Sequence, residues 1–445
     1  MLKILIKHAT IVNEGRSFIG NVLIDGAFIS RISETEIPPD KDTLVIKAEK
    51  KLLLPGVIDD QVHFREPGLT HKGDISSESH AAVAGGVTSY MEMPNTNPQT
   101  ISIHALEEKF ELASSRSAAN YAFYLGATND NISEIHKVNP STTPGIKIFM
   151  GASTGNMLVD NRQSLEKLFA ESPVLIATHC EDETTIRNNI AICKQKYGED
   201  MPMSCHPLLR SEEACFISSS LAVELAHKYQ STLHVLHLST ARELSLFEKG
   251  PVSSKKITAE ACIHHLWFND TYYESRDTLI KWNPAIKTEK DRLALINAVL
   301  DDKIDVIATD HAPHTLIEKS NKYFQVPSGG PMVQHSLLAM LEFVKRGIWT
   351  IEKVVEKMCH APADLFKIDR RGYIREGYYA DLVIVNPEKS FEITISNLLY
   401  KCHWSPLEGE IMHHKIDTTF VNGNIVYQHG EVVDGIHSMA LKFKR

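Results

Sequence analysis

Several short segments of this chain end in side chains able to hold a cation or move a proton. "PGVIDDQVHFREPG", Pro55 to Gly68, is an apolar run that closes on His63 and Arg65. A buried strand carries such polarity at its tip only where something there binds it. Asn95 follows "VTSYMEM", Lys147 sits inside "GIKIFMG", His179 lies near the end of "VLIATHC", His237 near the end of "LHVLHLS", and Asp310 closes "IDVIATD". Three imidazoles and a carboxylate from well-separated segments form a nitrogen and oxygen donor set without thiolate, which suits a borderline divalent metal such as Zn²⁺.

Asp310, in "ATDHAPH", reads as metal ligand and base: it would take the proton of a metal-bound water and pass it to a leaving nitrogen. The alternative is a carboxylate satisfied by backbone donors. Lys147 is either an ammonium paired with an acid or a desolvated neutral amine. In the second case it can react with CO₂ to give a carbamate that bridges two cations. The metal leaves Arg65 and Asn95 unexplained; a planar fork of donors and an amide suit a substrate carboxylate. For Arg65 the alternative is an ion pair with Glu66 or another acid. His234, nearer the start of its strand, reads as structural, and His264 and His265 in "CIHHLWF" read equally as packing or as ligand contacts. The remaining histidines read as ordinary surface or loop residues.

These residues need a scaffold that brings distant segments to one mouth. Between Pro55 and residue 371, "GVIDDQVHF", "VTSYMEM", "YAFYLGA", "GIKIFMG", "VLIATHC", "LHVLHLS", "ITAEACI" and "IDVIATD" alternate with amphipathic stretches such as "SEEACFISSSLAVELAHKY". That rhythm predicts an α/β fold, a closed (β/α)8 TIM-like barrel over 55–371, with an open doubly wound sheet as the alternative. In such barrels the active site lies at the C-terminal ends of the strands, where the residues above fall. Residues 1–54 and 372–445 carry hairpin patterns instead, with an Asn-Gly turn in "VNGNIV". Neither flank alone could bury both faces of its strands, so the two are expected to pair into one small β-sandwich.

Composition narrows the partners. Of 445 residues 43% are apolar, and the net charge of -9 comes without any basic run, which argues against a nucleic-acid surface. No stretch approaches membrane-spanning length and the N-terminus lacks a signal-peptide pattern, so a cytoplasmic location is expected. The expected partners are a small-molecule substrate and, as an open alternative to a monomer, a second copy in a homodimer. Seven scattered cysteines form no C-x-x-C pair, which disfavours disulfides and thiolate metal sites. Cys180, beside His179, reads as a small buried hydrophobe.

"VHFREPG", "MPNTNP" and "ATDHAPH" followed by Lys319 resemble the signatures of dihydroorotases of the class I type, within the amidohydrolase superfamily of metal-dependent barrels. The resemblance covers nearly the whole chain. It implies reversible hydrolysis of the cyclic amide of (S)-dihydroorotate to N-carbamoyl-L-aspartate in de novo pyrimidine biosynthesis, with one or two Zn²⁺ ions. Residue by residue it implies that His63, His179, His237 and Asp310 are metal ligands and that Asp310 is also the proton shuttle. Arg65 and Asn95 would hold the substrate carboxylate, Asn283 in "KWNPAI" would lie over the ring, and His314 would make a further substrate contact. Gly329, Gly330 and Pro331 would offer backbone groups to the ring. Lys147 matches the carboxylated lysine of several subgroups, whereas others use an aspartate as the bridge.

One position departs from the family pattern. Where the family writes His-x-His, this chain writes Gln61-Val62-His63, and an amide oxygen is a poorer ligand for a borderline metal than imidazole. Either one ion is held tightly, or Gln61 coordinates weakly, or activity is lost. Two alternatives to dihydroorotase follow. One is a hydantoinase or allantoinase acting on another ring, against which Arg65 with Asn95 argues for a substrate carboxylate. The other is a catalytically inactive barrel kept as a scaffold for a partner enzyme of the same pathway.

Overall fold

The computed structural model describes residues 3–151, 157–433, 435 and 437–445. All eight apolar runs form parallel strands: Val57–Val62, Val87–Glu92, Asn120–Phe123 continuing as Leu125–Gly126, Ile146–Phe149, Ile176–His179, Leu233–Val235, Ile257–Cys262 and Val306–Ala308. All but Ile257 are buried, as expected where helices cover a parallel sheet from outside. A parallel bridge between Val62 and His311 joins the first strand to the segment after the eighth, and His63 N donates to His311 O at 2.7 Å. Asp59 tightens this seam by accepting from Thr309 Oγ1 at 2.6 Å and from Thr309 N at 3.2 Å. The sheet therefore closes into a barrel, and the open-sheet alternative is set aside.

The helices between the strands begin where the sequence supplies caps. Asp74 and Ser77 form a capping box at Ile75–Ala84, Ser211 caps Glu212–Tyr229, and Thr288 with Asp291 caps Glu289–Leu300. No helix among the described residues is long and apolar enough to cross a membrane.

The two chain ends meet in one nine-stranded sheet. Lys3–Asn13 runs along Arg16–Asp25, and a bulge between Ile6 and Ala9 hands its first half to Thr43–Lys47 and its second to Leu52–Pro55. Leu52–Pro55 pairs in turn with Leu382–Asn386, which carries Lys415–Val421 on its other edge. Ile6, Ile11, Val22, Ile24, Leu53, Leu382, Ile384 and Phe420 belong to a core of their own there. Asp381 ties this sheet to the barrel: it accepts from Arg371 Nη1, from Asn422 N at 2.8 Å and from Asn120 Nδ2 at 3.2 Å.

Candidate active site

The C-terminal ends of the barrel strands surround an open pocket lined by Gln61, His63, Arg65, Asn95, Lys147, Phe149, His179, His237, Trp282, Asn283, Asp310, Ala312, Ser328 and Gly329. Strand geometry explains the convergence. His179 is the last residue of its strand, His63 follows its strand directly, and His237 and Asp310 lie two residues past theirs. Arg65 (φ 71°), His237 (φ 41°) and Asp310 (φ 45°) take left-handed backbone conformations that side chains disfavour. Such strain at three residues of one pocket is characteristic of functional sites.

The hydrogen bonds fix which imidazole atoms face the pocket. His63 Nδ1 lies 2.8 Å from Asn95 Oδ1, an acceptor only, so Nδ1 carries the proton. Burial pushes His63 toward the neutral form, against the pull of Asp310. Its bare Nε2 then stands 3.0 Å from Asp310 Oδ1, two acceptors with nothing between them. On the opposite side Glu181 accepts from His179 Nε2 at 3.1 Å. Burial works against the Glu181 charge, yet Arg210 and His179 hold its carboxyl down to about 2. His179 therefore turns an unprotonated Nδ1 toward His237 Nε2, 3.0 Å away. Burial holds His179 below its ordinary value, and burial together with His179 holds His237 well below it.

These residues fit a divalent metal. Two pairs of donors face each other at about the spacing of atoms sharing one ion, His237 Nδ1 is buried without a hydrogen-bond partner, and neutral imidazoles are the ligating form. They do not close into one group of three. Among the described residues, the one set of three His, Cys, Asp or Glu ligand atoms all within 4.8 Å of one another is Asp60, His234 and Glu260, outside the pocket. Lys147 lines the same pocket as both pairs and lies 4.7 Å over the Phe149 ring. Burial pulls its amine down to about 8, although Asp310 and Glu260 favour the charged form.

Gln61 turns its Nε2 toward Asp310 Oδ1 at 3.3 Å, while the Cys262 thiol faces Gln61 Oε1 at 3.8 Å. The amide thus meets the oxygen that His63 also faces. Arg65 is buried, with Nε donating to Pro313 O at 3.0 Å and Nη2 3.0 Å from His314 Nε2. Glu66 does not pair with it, because Glu66 is taken by Arg116.

Several sequence expectations are refined by placement. His314 does not line the pocket; it sits behind Arg65, with Lys72 Nζ 3.1 Å from its Nδ1. Asn283 lines the pocket and accepts from Ser328 Oγ at 3.0 Å. Gly329 lines it too, its carbonyl held by buried Lys319 at 2.9 Å. A Cβ on Gly329 (φ +123°) would come within 2.6 Å of Ala312 O. His264 stacks on Trp282 at 4.3 Å and His265 Nε2 lies 3.1 Å from Pro284 O, so both pack rather than face ligand.

The remaining histidines are not all surface or loop residues. His311 is fully buried: it accepts from Met332 N through Nδ1 at 3.0 Å, which places its proton on Nε2 toward Glu78 at 2.8 Å. His206 is likewise buried between Tyr323 OH and Trp282 O. Cys180 is buried, as expected. Glu181 and Arg210, which hold His179, were missed in the sequence, and Glu181 two residues after a candidate ligand is the signal that could have found it.

The sequence profile of the amidohydrolase family matches residues 52–426. The dihydroorotase of Methanosphaera stadtmanae is 30% identical over 93% of this chain and 94% of its own length. That of Pyrococcus furiosus is 32% identical over 94% of this chain and 91% of its own. Among solved structures, an L-hydantoinase from Arthrobacter aurescens superposes with a TM-score of 0.91 at 25% identity, covering 98% of both chains. A D-hydantoinase from Thermus sp. gives 0.89 at 22%, covering 99% of both, which speaks to the fold alone.

Proposed function

Because this chain belongs to the amidohydrolase family, we propose that it is a dihydroorotase, interconverting (S)-dihydroorotate and N-carbamoyl-L-aspartate in de novo pyrimidine biosynthesis. Arg65 carries the assignment. A buried guanidinium lines the pocket, its position fixed by Pro313 and His314, while the nearest acid in sequence is engaged elsewhere. A ring bearing a carboxylate would give this guanidinium an ion-pair partner inside the pocket; a plain hydantoin or dihydrouracil ring would not. The relatives named dihydroorotase support the same choice.

His63 with Asp310, and His179 with His237, would hold the metal, taken as one or two zinc ions, and Lys147, as a carbamate, would add a ligand from the same pocket. When bound, the metal supplies Lewis-acid polarisation of a ring carbonyl and a lowered pKa for the attacking water. Asp310 accepts the proton of that water and returns it to the ring nitrogen as the C–N bond breaks. Gln61 Nε2 donates to Asp310 Oδ1 and so orients it for this task. Asn95 spends its oxygen on His63, so its Nδ2 is left to join Arg65 on the substrate carboxylate. On this reading the enzyme works in the cytoplasm, its catalytic barrel spans 55–371, and 1–54 with 372–445 form its terminal β unit.

Ring opening of dihydroorotate, dihydrouracil and hydantoin by the wild type and Arg65→Met tests this. The expected result is preference for dihydroorotate in the wild type and a KM for it raised about 10- to 100-fold in the variant, the cost of one charge-assisted contact. Faster turnover of hydantoin than of dihydroorotate would move the chain to the hydantoinase class that its fold also resembles. No turnover of any ring would support the scaffold alternative.

A further inference from the structure

Beside the pocket, the barrel interior holds a second donor cluster that this chemistry does not use. Asp60, His234 and Glu260 are each 0% exposed. His234 Nε2 lies 3.3 Å from Asp60 Oδ2 and 3.8 Å from Glu260 Oε2. Both Asp60 oxygens, Glu260 Oε2 and His234 Nε2 have no hydrogen-bond partner. Where most of a barrel's interior is filled with apolar side chains, four converging unpartnered polar atoms need a physical cause.

The tautomer of His234 narrows that cause. Thr258 Oγ1 lies 2.8 Å from His234 Nδ1 and donates its one proton to Leu233 O at 3.2 Å. It must therefore accept from His234 Nδ1–H. With its proton on Nδ1, His234 faces two buried carboxylates through Nε2 in a medium of low dielectric, and burial together with Asp60 pushes the Glu260 carboxyl well above the usual carboxylate range. A cation among them satisfies all three at once.

We propose that Asp60, His234 and Glu260 form a buried divalent-cation site, separate from the catalytic pocket and suited to a borderline ion such as zinc. Donors 2.0–2.2 Å from one tetrahedral ion stand roughly 3.3–3.6 Å apart; the 3.3 Å between His234 and Asp60 falls in that range and the 3.8 Å between His234 and Glu260 lies just beyond it. Imidazole and carboxylate are the ligand types such an ion takes, and Thr258 supplies the outer hydrogen bond that fixes a ligating imidazole. The other oxygen of Glu260 accepts from His237 N at 2.8 Å. An ion there would brace the left-handed turn that presents His237 to the pocket.

Zinc anomalous diffraction on full-length protein expressed in zinc-supplemented medium locates the ion directly. Zinc per chain in the wild type and in Asp60→Asn gives the stoichiometry. The expected result is an anomalous peak among the three side chains, with one zinc equivalent lost in Asp60→Asn while the pocket peaks remain. Wild-type crystals whose pocket holds zinc but whose cluster shows no peak would overturn the proposal, whether or not the variant folds. The cluster would then be held by protons, with His234 as an imidazolium paired to Asp60. Unchanged zinc content in a folded Asp60→Asn would overturn it equally.

Discussion

His63 Nε2 and Asp310 Oδ1 face each other at 3.0 Å across the seam where the first and last barrel strands meet. The two residues are 247 positions apart in the chain. Asn95 takes the other imidazole nitrogen, so the pair points two lone pairs at one place. Asp310 is consequently poised both to hold a cation and to exchange a proton.

Asp310→Asn keeps the shape of this side chain but loses its capacity to accept a proton as a base. Turnover of dihydroorotate is expected to fall by about 10²- to 10⁴-fold with the circular dichroism and melting temperature of the parent. Activity within threefold of the parent would remove Asp310 from the proton pathway.

Gln61→His restores an imidazole where the amide now contacts Asp310. The variant is expected to retain more zinc per chain than the parent after dialysis against a weak chelator, since imidazole is the better ligand for a borderline metal. Equal retention would mean that the amide already serves the site as well as an imidazole would.

Legibility in the sequence followed burial. The barrel strands could be read because strands covered on both faces become continuous apolar runs, and the donor residues stood out as polar endings of those runs. Side-chain direction was not legible. Asp60 faces the interior cluster because the register shifts between Asp59 and Val62, which breaks the simple alternation a strand pattern assumes. His264 and His265 were ambiguous because they lie in the short helix Ile263–Trp267 just past a strand end, and only the stacking of His264 on Trp282 decides its role. That the two flanks pair was inferred only from the need of each for a partner, and nothing local encodes the specific contact of Leu52–Pro55 with Leu382–Asn386.

Lys147 gives the metal-free protein a pH-dependent weakness. Its folded value of about 8 lies below the ordinary 10.5, so between the two the unfolded chain binds the extra proton and stability rises with pH across that window. Below pH 8 the full penalty of burying the ammonium is present. Lys147→Met is therefore expected to stabilise the metal-free protein by up to about 3 kcal/mol at pH 7 and by little at pH 10.5, while abolishing zinc-dependent turnover. Denaturant melts at the two pH values check this; equal effects at both would mean that the amine is not held below its ordinary value.

Arg371 and Asp381 are both buried and join the terminal sheet to the barrel through Asn120 and Asn422. Arg371→Met leaves Asp381 charged without its cation, at a cost of roughly 3–5 kcal/mol. Urea unfolding is expected to show that loss with unchanged KM in the surviving folded fraction; a loss below 1 kcal/mol would mean that the asparagines alone satisfy Asp381.

Ring opening of dihydroorotate by zinc-reconstituted wild-type protein, with zinc per chain measured on the same sample, tests the central claim most directly. The account predicts zinc-dependent formation of N-carbamoyl-aspartate, abolished by chelator and restored by zinc. Protein that carries zinc in the pocket yet opens no dihydroorotate would contradict it.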